Sequence, residues 1–237
     1  MSRRIVAVVD TGVDDALALV VAVRHPALDL RGVVCTAGNV PLTRVLANTR
    51  YVLDLLGATV PIAAGAERRM DGERFGDRSV HGPDGLAGLG PAGEPAPDPV
   101  VRPDKSNATG QRVVRPDTSE IVTPEDVVVS LAPLTPLVGV PAGRIVAAYA
   151  RPGQANYEMD PVAAALVDVE HLDVPDHAVE ISHGETPVGE LVAGLVRHQV
   201  GRGAGLGDAA VMLALAEPRL DPREWAGRVH DLAAARD

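Results

Sequence analysis

The chain has 237 residues, a formal net charge of −10, 46% hydrophobic residues and 23% charged ones. This composition excludes a disordered chain or a coiled coil, and the acidic balance argues against nucleic acid as a partner, because phosphate-backbone affinity rests on Lys and Arg. Cys35 is the only cysteine, so no intrachain disulfide can form; with no leader-like apolar core and no stretch near the ~20 residues that cross a bilayer, the expectation is a cytoplasmic protein with no membrane partner.

Ile5 to Val9 is a continuous apolar run, the pattern of a strand covered on both faces. Asp10-Thr11-Gly12 ends it. Residues 14–24 open with two acids and continue in good helix formers as far as His25-Pro26, which predicts a helix. Residues 30–36 read as a second strand, so the first unit is β-α-β, which predicts a parallel sheet with right-handed crossovers. Helical spacing returns over 41–56 and stops at Gly57, and 60–64 is a short third strand. From 67 to 124 the periodicity fades while Pro, Gly and Asp accumulate. That stretch is too long for a plain connection and reads as a loop-rich insertion near the site, within one domain of residues 1–237. Beyond it, 127–131, 144–150 and 179–182 read as strands, and 160–168, 187–200 and 208–216 as helices. The fold class is α/β: a mostly parallel central sheet with helices on both faces.

Asp10, Asp14 and Asp15 fall at the carboxyl end of the first strand and the start of the next helix, where open α/β sheets place their ligand crevice. Carboxylates so close repel unless a cation sits among them, and oxygen ligands suit Ca²⁺ or Mg²⁺. Asp14 and Asp15 also suit a helix N-terminus by charge alone. The glycine-rich run 201–207 lacks dinucleotide-binding spacing and reads as a loop. Asn107-Ala-Thr109 is a glycosylation triplet without a secretory context, and Lys105 is the only lysine. A ring stacked on a flat ligand must come from Tyr51, Tyr149, Tyr157, Phe75 or Trp225.

Six segments in order carry a family resemblance: Asp10-Thr-Gly12-Val-Asp14-Asp15-Ala-Leu, Thr36-Ala-Gly38-Asn39-Val-Pro41, Val60-Pro-Ile-Ala-Ala-Gly65, His81-Gly-Pro-Asp84-Gly85, Ser130-Leu131-Ala-Pro133-Leu-Thr135, and Asn156-Tyr-Glu-Met-Asp160-Pro161-Val-Ala-Ala164. Together they resemble the inosine-uridine-preferring nucleoside hydrolases, densely over 1–90, in patches over 127–168 and faintly beyond. The resemblance implies a Rossmann-like core and Ca²⁺-dependent hydrolysis of the N-glycosidic bond of a small-molecule ribonucleoside or related ribosyl compound. It also implies a homo-oligomer, dimer or tetramer.

By resemblance, Asp10 is the general base and a calcium ligand, joined by Asp15, the Leu131 backbone carbonyl and Asp208 from Gly207-Asp208-Ala-Ala-Val211. Asp14 and Asn39 would hold ribose hydroxyls, and Asn156 and Gln154 the rest of the sugar. His81 is the candidate leaving-group acid, with His183 behind it. Several positions depart from the family pattern. Val8 stands in place of the first Asp, Gln154 in place of a Glu, Gly207 in place of a His, and the interval from Thr135 to Asn156 is short, as if a crossover helix were missing. Those departures motivate two alternatives, a non-catalytic ribosyl-binding protein and a different ribosyl reaction such as transfer or rearrangement. They also raise the expectation that a His restored at 207 would assist inosine cleavage.

Overall fold

The computed structural model describes residues 2–75, 79–93, 118–172, 174 and 186–235. Among them, six strands form one sheet: β1 (Arg3–Val9), β2 (Leu28–Cys35), β3 (Ile62–Ala64), β4 (Val127–Ser130), β5 (Arg144–Ala147) and β6 (Glu170–His171). The order is β3-β2-β1-β4-β5-β6, and every pairing is parallel. The helices are α1 (Val13–Arg24), α2 (Leu42–Leu55), α3 (Thr118–Ile121), α4 (Ala155–Met159), α5 (Pro161–Leu166), α6 (Pro187–Gly201), α7 (Asp208–Ala216) and α8 (Trp225–Ala234). None of the described helices is long and apolar enough to cross a membrane.

The unbroken apolar run of β1 follows from its central place. Ile5, Ala7 and Val9 face one core and Val6 and Val8 the other, and all are inaccessible to solvent. The first core is the thicker. It is filled by α1, α2, α6, α7 and α8, and α1 lies between the sheet and α7 with Leu17, Leu19, Val20 and Val21 all buried. Each fully buried leucine of this kind contributes on the order of 1.5–3 kcal/mol. The second core is thinner, built around Ile121, Leu134, Leu137 and Ala163.

The helix predicted over 14–24 ends at His25, whose backbone N–H caps Val21. The His25 ring does more than end the helix. Its Nδ1 accepts the Ala27 N–H at 3.1 Å, so the neutral ring carries its proton on Nε2, which meets Glu217 Oε1 at 2.6 Å. Arg228 Nε donates to the same oxygen at 2.7 Å, tying α1 to the end of α7 and to α8. These two partners hold the Glu217 carboxyl below its usual range.

The connection from β4 to β5 contains a 3₁₀ turn, Thr135–Leu137, and no α-helix, as the short interval predicts. The strand expected over 144–150 stops at Ala147, because the chain leaves the sheet and Tyr149 adopts a φ of +53°. β6 has no apolar signal in its two residues, Glu170 and His171, and is missing from the sequence reading. So is α8, although Trp225, Val229, Leu232 and Ala233 share one helical face. The strand expected at 179–182, together with His183, Lys105 and Asn107–Thr109, lies outside the described residues.

Asp160 is a buried joint among three segments. It caps α5 by accepting the Ala163 N–H at 3.1 Å, and its other oxygen takes the Met70 N–H at 2.8 Å and the Thr135 hydroxyl at 2.6 Å. Asp160→Ala is expected to cost roughly 2–4 kcal/mol, the sum of a lost cap and unsatisfied buried donors. Urea unfolding checks this, and a midpoint within error of the parent would contradict it.

Candidate functional site

In this strand order, β1 and β4 are neighbours whose chains leave toward opposite edges of the sheet, which opens a crevice at their carboxyl ends. Asp10 follows β1 directly and Leu131 follows β4 directly. Both line a cavity of about 290 Å³, together with Asp14, Asn39, His81, Asn156 and Asp208. That volume lies at the lower edge of the ~300 Å³ and upward typical of small-molecule sites.

Asp10 is buried and held by one residue. Its Oδ2 accepts the Asn39 backbone N–H at 2.8 Å and its Oδ1 accepts Asn39 Nδ2 at 3.1 Å. The fit requires glycine next door, since a Cβ on Gly38 would lie 1.9 Å from Asp10 Oδ2. Burial pushes the Asp10 carboxyl up to about 7; the Asn39 bond opposes this and the nearby Asp14 charge adds to it.

The start of α1 is equally tight. The Gly12 N–H donates to Asp15 Oδ2 at 2.8 Å, and a side chain on Gly12 would strike Asn39 Nδ2 and His81 Nδ1. Asp14, Asp15 and Asp208 each offer an oxygen within 4.8 Å of the others. Oδ1 of Asp15 and Oδ1 of Asp208 are buried with no hydrogen-bond partner. Burial drives the Asp15 and Asp208 carboxyls well above their ordinary values, and the charges of the neighbouring aspartates push the same way. A helix dipole accounts for Asp14 and Asp15 but not for orphaned oxygens, nor for Asp208 arriving from a different helix. A hard divalent cation satisfies all of these, so the residues fit a metal ion.

The grouping differs from the expected one. Asp14, read as a sugar ligand, joins Asp15 and Asp208 in the metal-suited cluster, whereas both oxygens of Asp10 are engaged by Asn39. The Leu131 carbonyl accepts Asn156 Nδ2 at 2.8 Å, and the same nitrogen donates to the Ala148 carbonyl at 3.0 Å. Two carbonyl partners fix the amide orientation and leave only the oxygen of Asn156 for a sugar. Gln154 is not brought to this cavity. Its Oε1 accepts the Arg151 N–H at 2.9 Å, and it lines an adjoining cavity with Arg151 and Leu172. Tyr149 borders both cavities.

His81 lies in the Ser79–His81 turn and uses Nδ1 to accept the Val13 N–H at 3.1 Å, so its proton sits on Nε2. The adjacent Val80 carbonyl accepts from His198 Nε2 at 2.8 Å, which fastens the turn to α6. The run 201–207, read as a plain loop, contributes Ala204, Gly205 and Gly207 to the cavity wall. Gln199 also lines it and is missing from the expected site. Its signal was readable, as a polar residue on the buried Leu191 and Leu195 stripe of α6.

The sequence pattern of the inosine-uridine preferring nucleoside hydrolases matches residues 5–139. The chain belongs to that family. It is 33% identical over 141 residues to the pyrimidine-specific ribonucleoside hydrolase RihA of Photobacterium profundum, covering 59% of this chain and 42% of that protein. It is 30% identical over 138 residues to the pyrimidine-specific ribonucleoside hydrolase RihB of Escherichia coli (strain SE11), covering 58% and 41%. The matches thus span about two fifths of these relatives' length. A plant nucleoside hydrolase structure superposes with a TM-score of 0.68 at 19% identity, over 99% of this chain and 98% of the other. A purine-preferring ribonucleoside hydrolase from Gardnerella vaginalis gives 0.65 at 18%, over 92% and 81%. At these identities the structural likeness establishes the fold, a nucleoside hydrolase-type parallel sheet.

Gly207 overturns the expectation that a restored His would help. Its φ of +53° and ψ of −124° disfavour any side chain, and a Cβ there would sit 2.8 Å from Asp14 Cβ. Gly207→His is therefore expected to cost roughly 1–3 kcal/mol of strain and to displace Asp14, lowering thermal stability and any activity. A variant equal to the parent in both would contradict this.

The raised carboxyl values also set a pH dependence. A carboxyl harder to ionise folded than unfolded contributes stability that is full below its unfolded value near ~3.9 and is lost as pH rises through its folded value. The metal-free protein should therefore lose melting temperature as pH rises from 5 to 8, with Asp10 titrating about 7. Millimolar divalent cation should restore it, more at pH 8 than at pH 5. Melting curves indifferent to cation at pH 8 would contradict a metal site.

Proposed function

We infer that this protein hydrolyses the N-glycosidic bond of a ribonucleoside, and that Asp14, Asp15 and Asp208, with the Leu131 carbonyl, would hold Ca²⁺. The observation that carries the reading is the convergence of Asp10, Asp14, Asn39 and Asp208 on one cavity at the switch point, in a chain of this family. Oxygen-rich clusters with orphaned carboxylates suit Ca²⁺, and family membership supports the substrate class. When bound, calcium supplies an electrophilic centre that orients water and sugar oxygens and lowers the water's pKa.

The chain's own residues do the rest. Asp10, positioned by Asn39 at the cavity, is suited to accept a proton from water attacking C1′. Asp14 and the amide oxygen of Asn39 accept ribose hydroxyls, and the oxygen of Asn156 accepts another. Because buried acceptors are left unpaired by a sugar lacking a hydroxyl, ribosides are preferred over 2′-deoxyribosides. His81, whose Nδ1 is taken by the Val13 N–H, can donate a hydrogen bond from Nε2 to the departing base. Without a His at 207, the site favours leaving groups that need little protonation, such as p-nitrophenolate, over hypoxanthine.

The engaged amide of Asn156 and the outlying Gln154 favour a second reading, a ribosyl-binding protein without turnover. Release of base from inosine, uridine and p-nitrophenyl riboside, with and without chelator, separates the two. Chelator-sensitive cleavage is expected, and Asp10→Asn should slow it by about 10²–10⁴-fold. Metal-dependent binding of ribosides with no product from any of the three would establish the second reading.

A further inference from the structure

We propose that Asn48 is a positioning residue: it pins the loop that carries His81 against the loop that carries Asp10, and so sets the hydrogen bond that His81 gives to the departing base. The inference rests on the nucleoside reading above and concerns a side chain that does not line the cavity. Asn48 lies on α2 and is inaccessible to solvent. Its Nδ2 donates to the Thr11 carbonyl, next to Asp10, at 3.2 Å and to the Asp84 carbonyl, in the turn beyond His81, at 2.8 Å. Both amide hydrogens are thereby spent, one on each loop, and two acceptors fix the amide orientation. The other end of the group gains nothing, since Oδ1 is buried and accepts no hydrogen bond. A half-satisfied buried amide is a costly way to fill a core, so what Asn48 contributes is the link between the two loops.

The contact leaves no room for a side chain on the loop. Gly85 has a φ of +80°, and a Cβ there would lie 2.9 Å from Asn48 Nδ2. His81 stands between two anchors: before it, His198 Nε2 holds the Val80 carbonyl at 2.8 Å, and after it, Asn48 holds the Asp84 carbonyl. The turn between them closes on itself, with the Ala87 N–H on the His81 carbonyl at 2.8 Å and the Gly85 N–H on the Gly82 carbonyl at 3.1 Å, so it moves as one piece. Without the Asp84 anchor that piece can swing about Val80 and carry the His81 ring with it. The bond from the Val13 N–H to Nδ1 locates one ring atom, but the direction of Nε2 follows the backbone. Asp10 is held separately, by Asn39. The loss of Asn48 therefore falls on the departing base and spares the attacking water.

The test compares substrates that differ in their need for that hydrogen bond. Cleavage of inosine and of p-nitrophenyl riboside is measured in calcium for the parent, Asn48→Leu, His81→Ala and the double variant, at a temperature where circular dichroism shows each to be folded. Asn48→Leu should lower kcat for inosine roughly ten- to a hundred-fold, the scale set by a misplaced reacting group, with KM little changed and p-nitrophenyl riboside nearly untouched. In the His81→Ala background the same substitution should change neither rate. Gly85→Ala, which presses a methyl group against Asn48 from the loop side, should reproduce the inosine defect and takes the place of Asn48→Leu should that variant not fold. Equal loss on both substrates would make Asn48 a structural residue of the whole site, and an inosine defect that persists without His81 would show that it does not act through His81; either overturns the proposal, as does an unchanged rate. A parent that cleaves only p-nitrophenyl riboside overturns it too, since His81 then assists no base. A parent that cleaves neither overturns the nucleoside reading itself, and the role of Asn48 with it.

Discussion

Carboxylates crowded into a buried crevice at the end of β1 govern the local design of this protein. Asp10, Asp15 and Asp208 are nearly inaccessible, so burial raises the cost of ionising them, and the charge of nearby Asp14 adds to it. Folding brings them together because α1 follows β1 directly and packs against α7, which delivers the end of the strand and the start of the later helix to one point. The thick apolar layer of α1, α7 and α8 supplies the stability against which this repulsion is held.

Close backbone approach follows from the same crowding. Gly12, Gly38 and Gly207 are each pressed against a side chain of the site: Gly12 on Asn39 and His81, Gly38 on Asp10, and Gly207 on Asp14. Of the three, Gly207 also needs glycine for its backbone angles. The loop after His81 is latched independently. Asp84 accepts the N–H groups of Leu86, Gly88 and Gly90, and Asn48 Nδ2 bridges the carbonyls of Thr11 and Asp84. The segment that carries His81 is thereby tied to the loop that carries Asp10, and their relative placement is a property of the folded chain. The same hydrogen bonds explain why the Asp84 carboxyl ionises more readily than usual despite some burial.

The fold was largely legible in the sequence, because its signals are local. The apolar run of β1, the acids opening α1, and the spacing of α6 and α7 each report how one segment is buried. The bounds found for α7, Asp208–Ala216, agree with those read from the pattern. Short edge elements were not legible: β6 has two polar residues and no apolar run, and it is joined to β5 by parallel register and by the Arg144–Glu170 ion pair. Among the site residues, Asp10, Asp14, Asp15, Asn39 and Asp208 were identifiable as motif positions, and the cavity gathers four of them.

What the sequence determined by itself was composition of the site: which acids and amides are available, and that a parallel sheet would carry the first three aspartates at a strand's carboxyl end. What only the tertiary structure decided was partnership. Asn156 gives its amide hydrogens to two carbonyls, Gln154 turns to Arg151, and His81 spends Nδ1 on the start of α1. Hydrogen bonds act over about 3 Å, and residues 25 or 68 positions apart, such as Leu131 with Asn156 and Val13 with His81, reach that distance only after the sheet and its helices have packed.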